Sequence, residues 1–111
     1  MNKILAADIG GTNIRAAVVN HDGNIDNEMR SHIELGDRTM SESQLIHLLV
    51  LFFEDMLKEY NDIKAIGAGF PGFFLGDSGL LVASPNLPNL HNVELAAKLS
   101  DKLNIPVHIQ N

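Results

Sequence analysis

The first group of residues that could do chemistry is the segment DIGGTN, in which an acidic side chain precedes two glycines. Backbone N–H groups of a turn at Gly10 and Gly11 would form a concave set of donors for an anion, and the hydroxyl of Thr12 adds another. Asp8 is placed to orient a hydrated Mg²⁺ beside bound phosphates. The same residues also suit an ordinary hairpin turn, in which Asp8 accepts local backbone hydrogen bonds. Both interpretations are open from this segment alone.

The second group, GAGFPG at residues 67–72, satisfies the pattern G-x-G-x-x-G. A dinucleotide-binding fold needs a helix that begins at these glycines, whereas Pro71 and Gly72 lead into a further turn. We therefore expect Gly67 and Gly69 to allow close packing in a central strand. We expect Pro71 and Gly72 to shape a backbone wall that a polar ligand can approach. The alternative is that both features are ordinary geometry at the end of a strand. The chain contains no G-x-x-x-x-G-K-[ST] motif, which excludes P-loop chemistry.

The third group is SPNLPN at residues 84–89. The amide of Asn86 offers a donor and an acceptor between two prolines, which suits recognition of a hydroxyl-rich ligand. Asparagine is equally common in turns for local reasons. The five histidines show no paired metal-ligand spacing and cysteine is absent, so the sequence indicates no transition-metal site.

These loops must be positioned by strands at residues 3–9, 14–19 and 25–33, which the hydrophobic pattern predicts. Asp22-Gly23 predicts a two-residue type I′ turn and an antiparallel return. A capping box at Ser41 and Gln44 opens a long amphipathic helix, and a central strand follows at residues 63–69. The apolar stripe of this helix comprises Leu45, Leu48, Leu49, Phe52, Phe53, Met56, Leu57 and Tyr60.

The second half of the sequence predicts a small hairpin within residues 73–83, followed by a helix that Asn92 caps. The inward face of this helix is expected to comprise Val93, Ala96, Leu99 and Leu103. Asn104 and Pro106 end it before a final strand at residues 107–110. The predicted fold class is α/β, with a mixed β-sheet in the order βββαβ, hairpin, αβ and helices packed on the sheet.

Composition predicts one globular domain, because 111 residues with 45% hydrophobic and 20% charged residues can bury a core without forming two domains. A net charge of -6 with eight scattered Lys and Arg residues argues against nucleic acid as a partner. The longest apolar run, residues 48–53, is far shorter than the roughly 20 residues of a membrane span. No signal peptide is indicated at the amino terminus. We expect a cytoplasmic location.

Four segments in the same order along the whole chain resemble the ROK family of repressors and sugar kinases. They are LAADIGGTN at residues 5–13, GAGFPG at 67–72, ASPNL at 83–87 and IPVHIQN at 105–111. The resemblance implies an actin-like ATPase domain, which is ribonuclease H-like. Residues 1–111 would be its amino-terminal domain, closing with a second domain over ATP and a hexose or N-acyl-hexosamine.

The resemblance also assigns roles to single residues. Those implied at the ATP phosphates and Mg²⁺ are Asp8, Gly10, Gly11, Thr12 and Asn13. Those implied at the sugar are Gly72, Asn86 and Asn111. Asp8 would meet Mg²⁺ through water, and Asn13 stands where many members have Lys. The reaction implied is in-line phosphoryl transfer, in which positioning and charge neutralisation supply most of the acceleration.

In this family an Asp that acts as general base normally follows the Asn corresponding to Asn111. We therefore assign no catalytic residue within the chain and expect the isolated chain to be inactive. The cysteine-rich zinc motif of many members would also lie beyond Asn111, and a homo-oligomer, such as a dimer, is expected.

A ROK repressor is the first alternative, although Met1 directly before the first strand leaves no room for a DNA-binding helix. A non-sugar actin-like ATPase is the second, and the Pro-Asn-Leu-Pro loop argues against it.

Overall fold

The opening three strands form an antiparallel meander, as predicted. A computed structural model describes residues 3–10, 13–32 and 39–111 of the chain. The strands are β1 (Lys3–Ile9), β2 (Asn13–Asn20) and β3 (Ile25–His32), with β2 paired to both neighbours. The predicted last residue of the third strand, Ile33, lies outside the described residues.

The turn between β2 and β3 has three residues rather than the predicted two. The N–H of Asn20 donates to the carbonyl of Asn24 at 3.0 Å, which closes the loop around residues 21–23. A type I′ turn needs positive φ at both central residues, but here only Gly23 has it, at 85°. The side chain of Asn20 accepts from the N–H groups of Asp22 and Asn24 at 3.0 and 3.2 Å, which supports the longer loop. The type I′ prediction was therefore wrong, although the antiparallel return is correct.

Helix α1 (Glu42–Glu59) begins at the predicted capping box. The hydroxyl of Ser41 accepts from the N–H of Gln44 at 3.2 Å, and the Gln44 side chain accepts from the N–H of Ser41 at 2.8 Å. These two bonds satisfy donors that a helix start would otherwise leave unpaired. The buried side chains of this helix are Leu45, Ile46, Leu49, Phe52 and Phe53.

A second, smaller sheet follows the central strand β4 (Ile63–Gly69). Its strands are β5 (Phe73–Phe74), β6 (Leu80–Ala83) and β7 (His91–Glu94), in the order β5-β6-β7 with antiparallel pairing. The β5–β6 hairpin confirms the prediction for residues 73–83. Strand β7 is an element that the sequence pattern did not indicate.

Helix α2 (Leu95–Leu103) starts later than predicted because pairing with β6 holds the preceding residues in a strand. The predicted cap Asn92 lies within β7 with φ at 52°, and Glu94 occupies the cap position without a side-chain bond. The Asn92 cap prediction was therefore wrong. Instead, the carbonyl of Gly79 in the β5–β6 turn accepts from the N–H of Ala96 at 3.3 Å.

The other end of α2 agrees with the sequence. Asn104 adopts the left-handed conformation with φ at 61°, and its N–H donates to the carbonyl of Ser100 at 2.8 Å. Strand β8 (Val107–Gln110) follows. Of the predicted inward face, Ala96, Leu99 and Leu103 are buried on the helix, whereas Val93 is buried from β7.

The main sheet has the order β3-β2-β1-β4-β8, with β1 antiparallel to β2 and parallel to β4, and β4 parallel to β8. The predicted mixed sheet is thus confirmed. The side chains on its covered face pack with those of the helices and the small sheet in one hydrophobic core. Buried residues on this face are Leu5, Ile9, Ile14, Ala16, Val18, Ile66, Ala68, Val107 and Ile109.

The opposite side, the open face, consists of the alternate residues of the same strands. Its members include Ile4, Ala6, Asp8, Arg15, Ala17, Gly67, Gly69, His108 and Gln110. None of them is buried. Within the described ranges, neither helix combines the length and the apolar character needed to cross a lipid bilayer.

Candidate functional site

Asp8 lies at the carboxyl end of β1, on the open face, with its side chain exposed. Its partner in β4 is Gly69, and a Cβ atom built on Gly69 would lie 3.6 Å from Oδ1 of Asp8. The missing side chain at Gly69 therefore leaves room around the carboxylate. Asp8 points to open space above the ends of two parallel strands, where open α/β sheets place their ligands.

The glycine turn after β1 is only partly described, because Gly11 and Thr12 lie outside the described residues. The N–H of Gly10 donates to the carbonyl of Asn13 at 2.9 Å, and a Cβ on Gly10 would lie 3.3 Å from that oxygen. A glycine thus suits the close approach of the two chain segments. The Gly10 amide is engaged inside the turn, so any phosphate contact by this loop would depend on its other donors.

A second group of predicted residues meets where β4 and β8 end side by side. The side-chain amide of Asn111 donates to the carbonyl of Gly72 at 2.5 Å. The N–H of Phe70 donates to the carbonyl of Gln110 at 3.0 Å, which continues the pairing of the two strands. Two residues that the sequence assigned to the sugar, Gly72 and Asn111, are therefore in direct contact.

Gly72 is buried, and its surroundings admit no larger residue. A Cβ there would lie 2.6 Å from Cδ1 of Leu81 and 2.8 Å from the carbonyl oxygen of Ala83. Real Cβ atoms do not approach other atoms so closely, so the neighbouring strand would have to move. Packing against β6, rather than an unusual φ, explains the glycine.

The segment SPNLPNL forms two successive β-turns. The N–H of Leu87 donates to the carbonyl of Ser84, and that of Leu90 to the carbonyl of Leu87, each at 3.1 Å. Each proline then occupies the second turn position, which its fixed φ favours. Leu87 and Leu90 are buried and anchor the loop, whereas Asn86 is exposed. Asn86 makes no hydrogen bond to the residues that the structure describes.

Ser84 is a residue that the sequence analysis did not single out. It is 3% exposed, and it is the only polar side chain in the described parts of the chain that is buried. Its hydroxyl donates to the carbonyl of Pro71 at 2.7 Å. The sequence offers one weak signal for it, a hydroxyl residue directly before a proline-rich loop.

Asp8, predicted to lie at the phosphates, and Asn111, predicted to lie at the sugar, are at the same edge of the main sheet. Neighbouring strands are about 4.8 Å apart, so the ends of β1 and β8, with β4 between them, are about 10 Å apart. A cavity of about 600 Å³ opens on the open face along β4 and β8, whereas Asp8 lines a separate pocket of about 280 Å³ toward β2. The polar lining of the larger cavity includes Asp77, His108, Gln110 and Asn111, and its floor includes Ala6, Gly67 and Gly69.

A model of the ROK family matches residues 4–111. The chain belongs to the ROK family. Over 115 aligned residues it is 29% identical to the xylose repressor of Caldicellulosiruptor bescii, covering 100% of this chain and 28% of that protein. It is 27% identical to the glucokinase of Thermotoga maritima, covering 98% of this chain and 33% of that protein.

The fold is likewise that of ROK enzymes. A ROK glucokinase from Streptomyces griseus, solved in complex with glucose and AMPPNP, superimposes with a TM-score of 0.78 at 23% identity. The match covers 99% of this chain and 33% of the glucokinase. The predicted actin-like ATPase fold is therefore confirmed. The chain spans about a third of the length of the ROK relatives described here.

Proposed function

We propose that residues 1–111 form the amino-terminal domain of an ATP-dependent sugar kinase that phosphorylates a hexose or an N-acyl-hexosamine. The observation that carries this proposal is the bond between the Asn111 amide and the Gly72 carbonyl. It orients the Asn111 side chain, and Oδ1, which takes no part in this bond, would accept a hydrogen bond from a sugar hydroxyl. Gly72 and Asn86 would supply the remaining contacts from this domain.

The residues near Asp8 fit the phosphate end of ATP. The carboxylate is exposed beside Gly69, and Mg²⁺ typically keeps several waters and needs only one or two carboxylates beside substrate phosphates. Mg-ATP would supply the phosphoryl group, and the AMPPNP complex of the Streptomyces griseus glucokinase supports this nucleotide. The turn at residues 10–13 would lie against the phosphates. Asp8 would hold the Mg²⁺ ion through a water molecule and so direct the ion toward the sugar.

The test is an ADP-release assay on the protein as its gene encodes it, with Mg-ATP and glucose, N-acetylglucosamine or N-acetylmannosamine in separate reactions. We expect ADP formation that depends on one of these sugars. The 111-residue chain by itself should release no ADP above a blank. Sugar-independent ATP hydrolysis, with no sugar binding by calorimetry, would instead indicate an actin-like ATPase of another kind.

A second candidate is the sugar-sensing domain of a ROK transcriptional repressor. The observation that favours it is the 29% identity to a xylose repressor over the whole chain. The two functions differ in a measurable way, because a sensor binds sugar without transferring phosphate. Sugar binding by calorimetry, together with no ADP release at saturating Mg-ATP, would support the repressor and refute the kinase.

A further inference from the structure

We propose that Ser84 is a positioning residue that sets the distance between two sugar-binding groups, the Gly72 backbone and the Asn86 side chain. The inference rests on the proposed function, because it concerns the same sugar site. It assigns a role to a residue that would not touch the sugar itself.

The hydroxyl of Ser84 acts on the Pro71-Gly72 turn. It donates to the Pro71 carbonyl at 2.7 Å, while Asn111 holds the next carbonyl along the chain, that of Gly72. Two successive carbonyls are thus fixed by side chains from two different loops. These two bonds restrain the peptide groups of the turn and so orient the backbone at the proposed sugar site.

The backbone of Ser84 acts on Asn86. Its carbonyl accepts from the N–H of Leu87 at 3.1 Å and closes the β-turn in which Asn86 is the third residue. The buried Ser84 therefore takes part in both turns. Its hydroxyl bonds to the Pro71-Gly72 turn, and its carbonyl closes the turn that contains Asn86. A shift of Ser84 would move the two groups relative to each other.

Close packing explains why a movement of Ser84 would also move the residues around it. It is 3% exposed, and a Cβ built on Gly72 would lie 3.5 Å from the Cβ of Ser84. The two residues thus pack without a gap that could absorb movement. Alanine at position 84 would keep the volume but leave the Pro71 carbonyl without this donor.

The experiment compares Ser84→Ala with a matched control, Ser100→Ala, in the protein as its gene encodes it. Ser100 also donates its hydroxyl to a backbone carbonyl, that of Ile105, at 2.7 Å and with partial burial, but it lies in α2, outside the β-turn that contains Asn86. Both variants lose the same kind of bond, so both should show a similar fall in Tm. Only Ser84→Ala should raise the KM and Kd for the sugar, by about tenfold, with kcat and the KM for ATP within about twofold of wild type.

Amide hydrogen exchange gives a readout that needs no sugar. Exchange at Leu87 should be faster in Ser84→Ala than in Ser100→Ala, because its acceptor is less well held. Unchanged exchange at Leu87 and an unchanged sugar Kd in Ser84→Ala would overturn the positioning role while the kinase proposal stands. A wild-type protein that binds no sugar would overturn the proposed function and this inference together.

Discussion

Gly67 and Gly72 lie in the same glycine-rich segment, yet a side chain at each would meet different surroundings. At Gly67 a Cβ would have no atom within 4 Å, because the position faces the cavity on the open face. At Gly72 it would collide with Leu81 and Ala83. The motif G-x-G-x-x-G therefore combines a glycine beside open space with one that packing requires.

Gly72→Ala should lower the free energy of unfolding by about 1–3 kcal/mol, since the added methyl group has no room. Gly67→Ala is the matched control, and it should be neutral or stabilise by up to about 1 kcal/mol because alanine restricts the unfolded chain. Urea denaturation of both variants measures the difference. Equal stability of the two would contradict the packing argument for Gly72.

Asp8→Asn should impair the use of Mg-ATP, because the amide keeps the size of the side chain but removes the negative charge that attracts the hydrated ion. We expect kcat/KM for Mg-ATP to fall by about 100-fold, since charge neutralisation carries much of phosphoryl-transfer catalysis. The Kd for the sugar should be unchanged. Asp101→Asn, an exposed position on α2, serves as control. An Asp8→Asn variant with wild-type dependence on Mg²⁺ would refute the role of Asp8.

At the scale of elements, the two helices begin in different ways. Helix α1 is capped locally by Ser41 and Gln44, whereas α2 receives a carbonyl from Gly79 in a separate hairpin. Gly79 also has φ at 77°, and a Cβ there would lie 2.3 Å from the Cβ of Ala96. The start of α2 therefore depends on tertiary contact, and that of α1 does not.

Ser41→Ala should destabilise the protein by about 1 kcal/mol, the usual cost of losing a side-chain cap. Ser43→Ala, two residues later and exposed on the same helix, should change stability by less than about 0.5 kcal/mol because alanine favours a helix and no cap is lost. Thermal and urea unfolding of the pair give the comparison. A loss of similar size in Ser43→Ala would rule out capping as the cause.

At the scale of the whole molecule, the main sheet has one covered face and one open face. The open face carries Ile4 at 49% exposure, and Ile25, in the edge strand β3 on the far side of β2, is 59% exposed. Exposed apolar side chains on a broad sheet favour association. We expect the 111-residue chain to self-associate through this face at high concentration.

Ile4→Lys should reduce the apparent mass of the isolated chain in light scattering at high concentration, because the charge opposes burial of the open face. Leu51→Lys is the control, since Leu51 is 50% exposed but lies on α1. Its mass should match that of wild type. A monodisperse monomer for the wild-type chain would contradict the expectation.

The parts of the fold that sequence predicted correctly depend on neighbours within a few residues. The capping box at Ser41, the end of α2 at Asn104 and the β5–β6 hairpin are of this kind. The Asn92 cap was wrong for a complementary reason: the local signal was present, but pairing with β6 placed that residue in a strand. The prediction of a type I′ turn was wrong because the side chain of Asn20 stabilises a longer loop.

The sequence by itself determined the family, the mixed sheet and the loops that form the candidate site, because motif order and hydrophobic period are carried by the chain. Only the tertiary structure decided how these loops meet. The bond from Ser84 to Pro71 joins residues 13 positions apart, and that from Asn111 to Gly72 joins residues 39 positions apart. Such contacts depend on which strands become neighbours, and no local pattern encodes that choice.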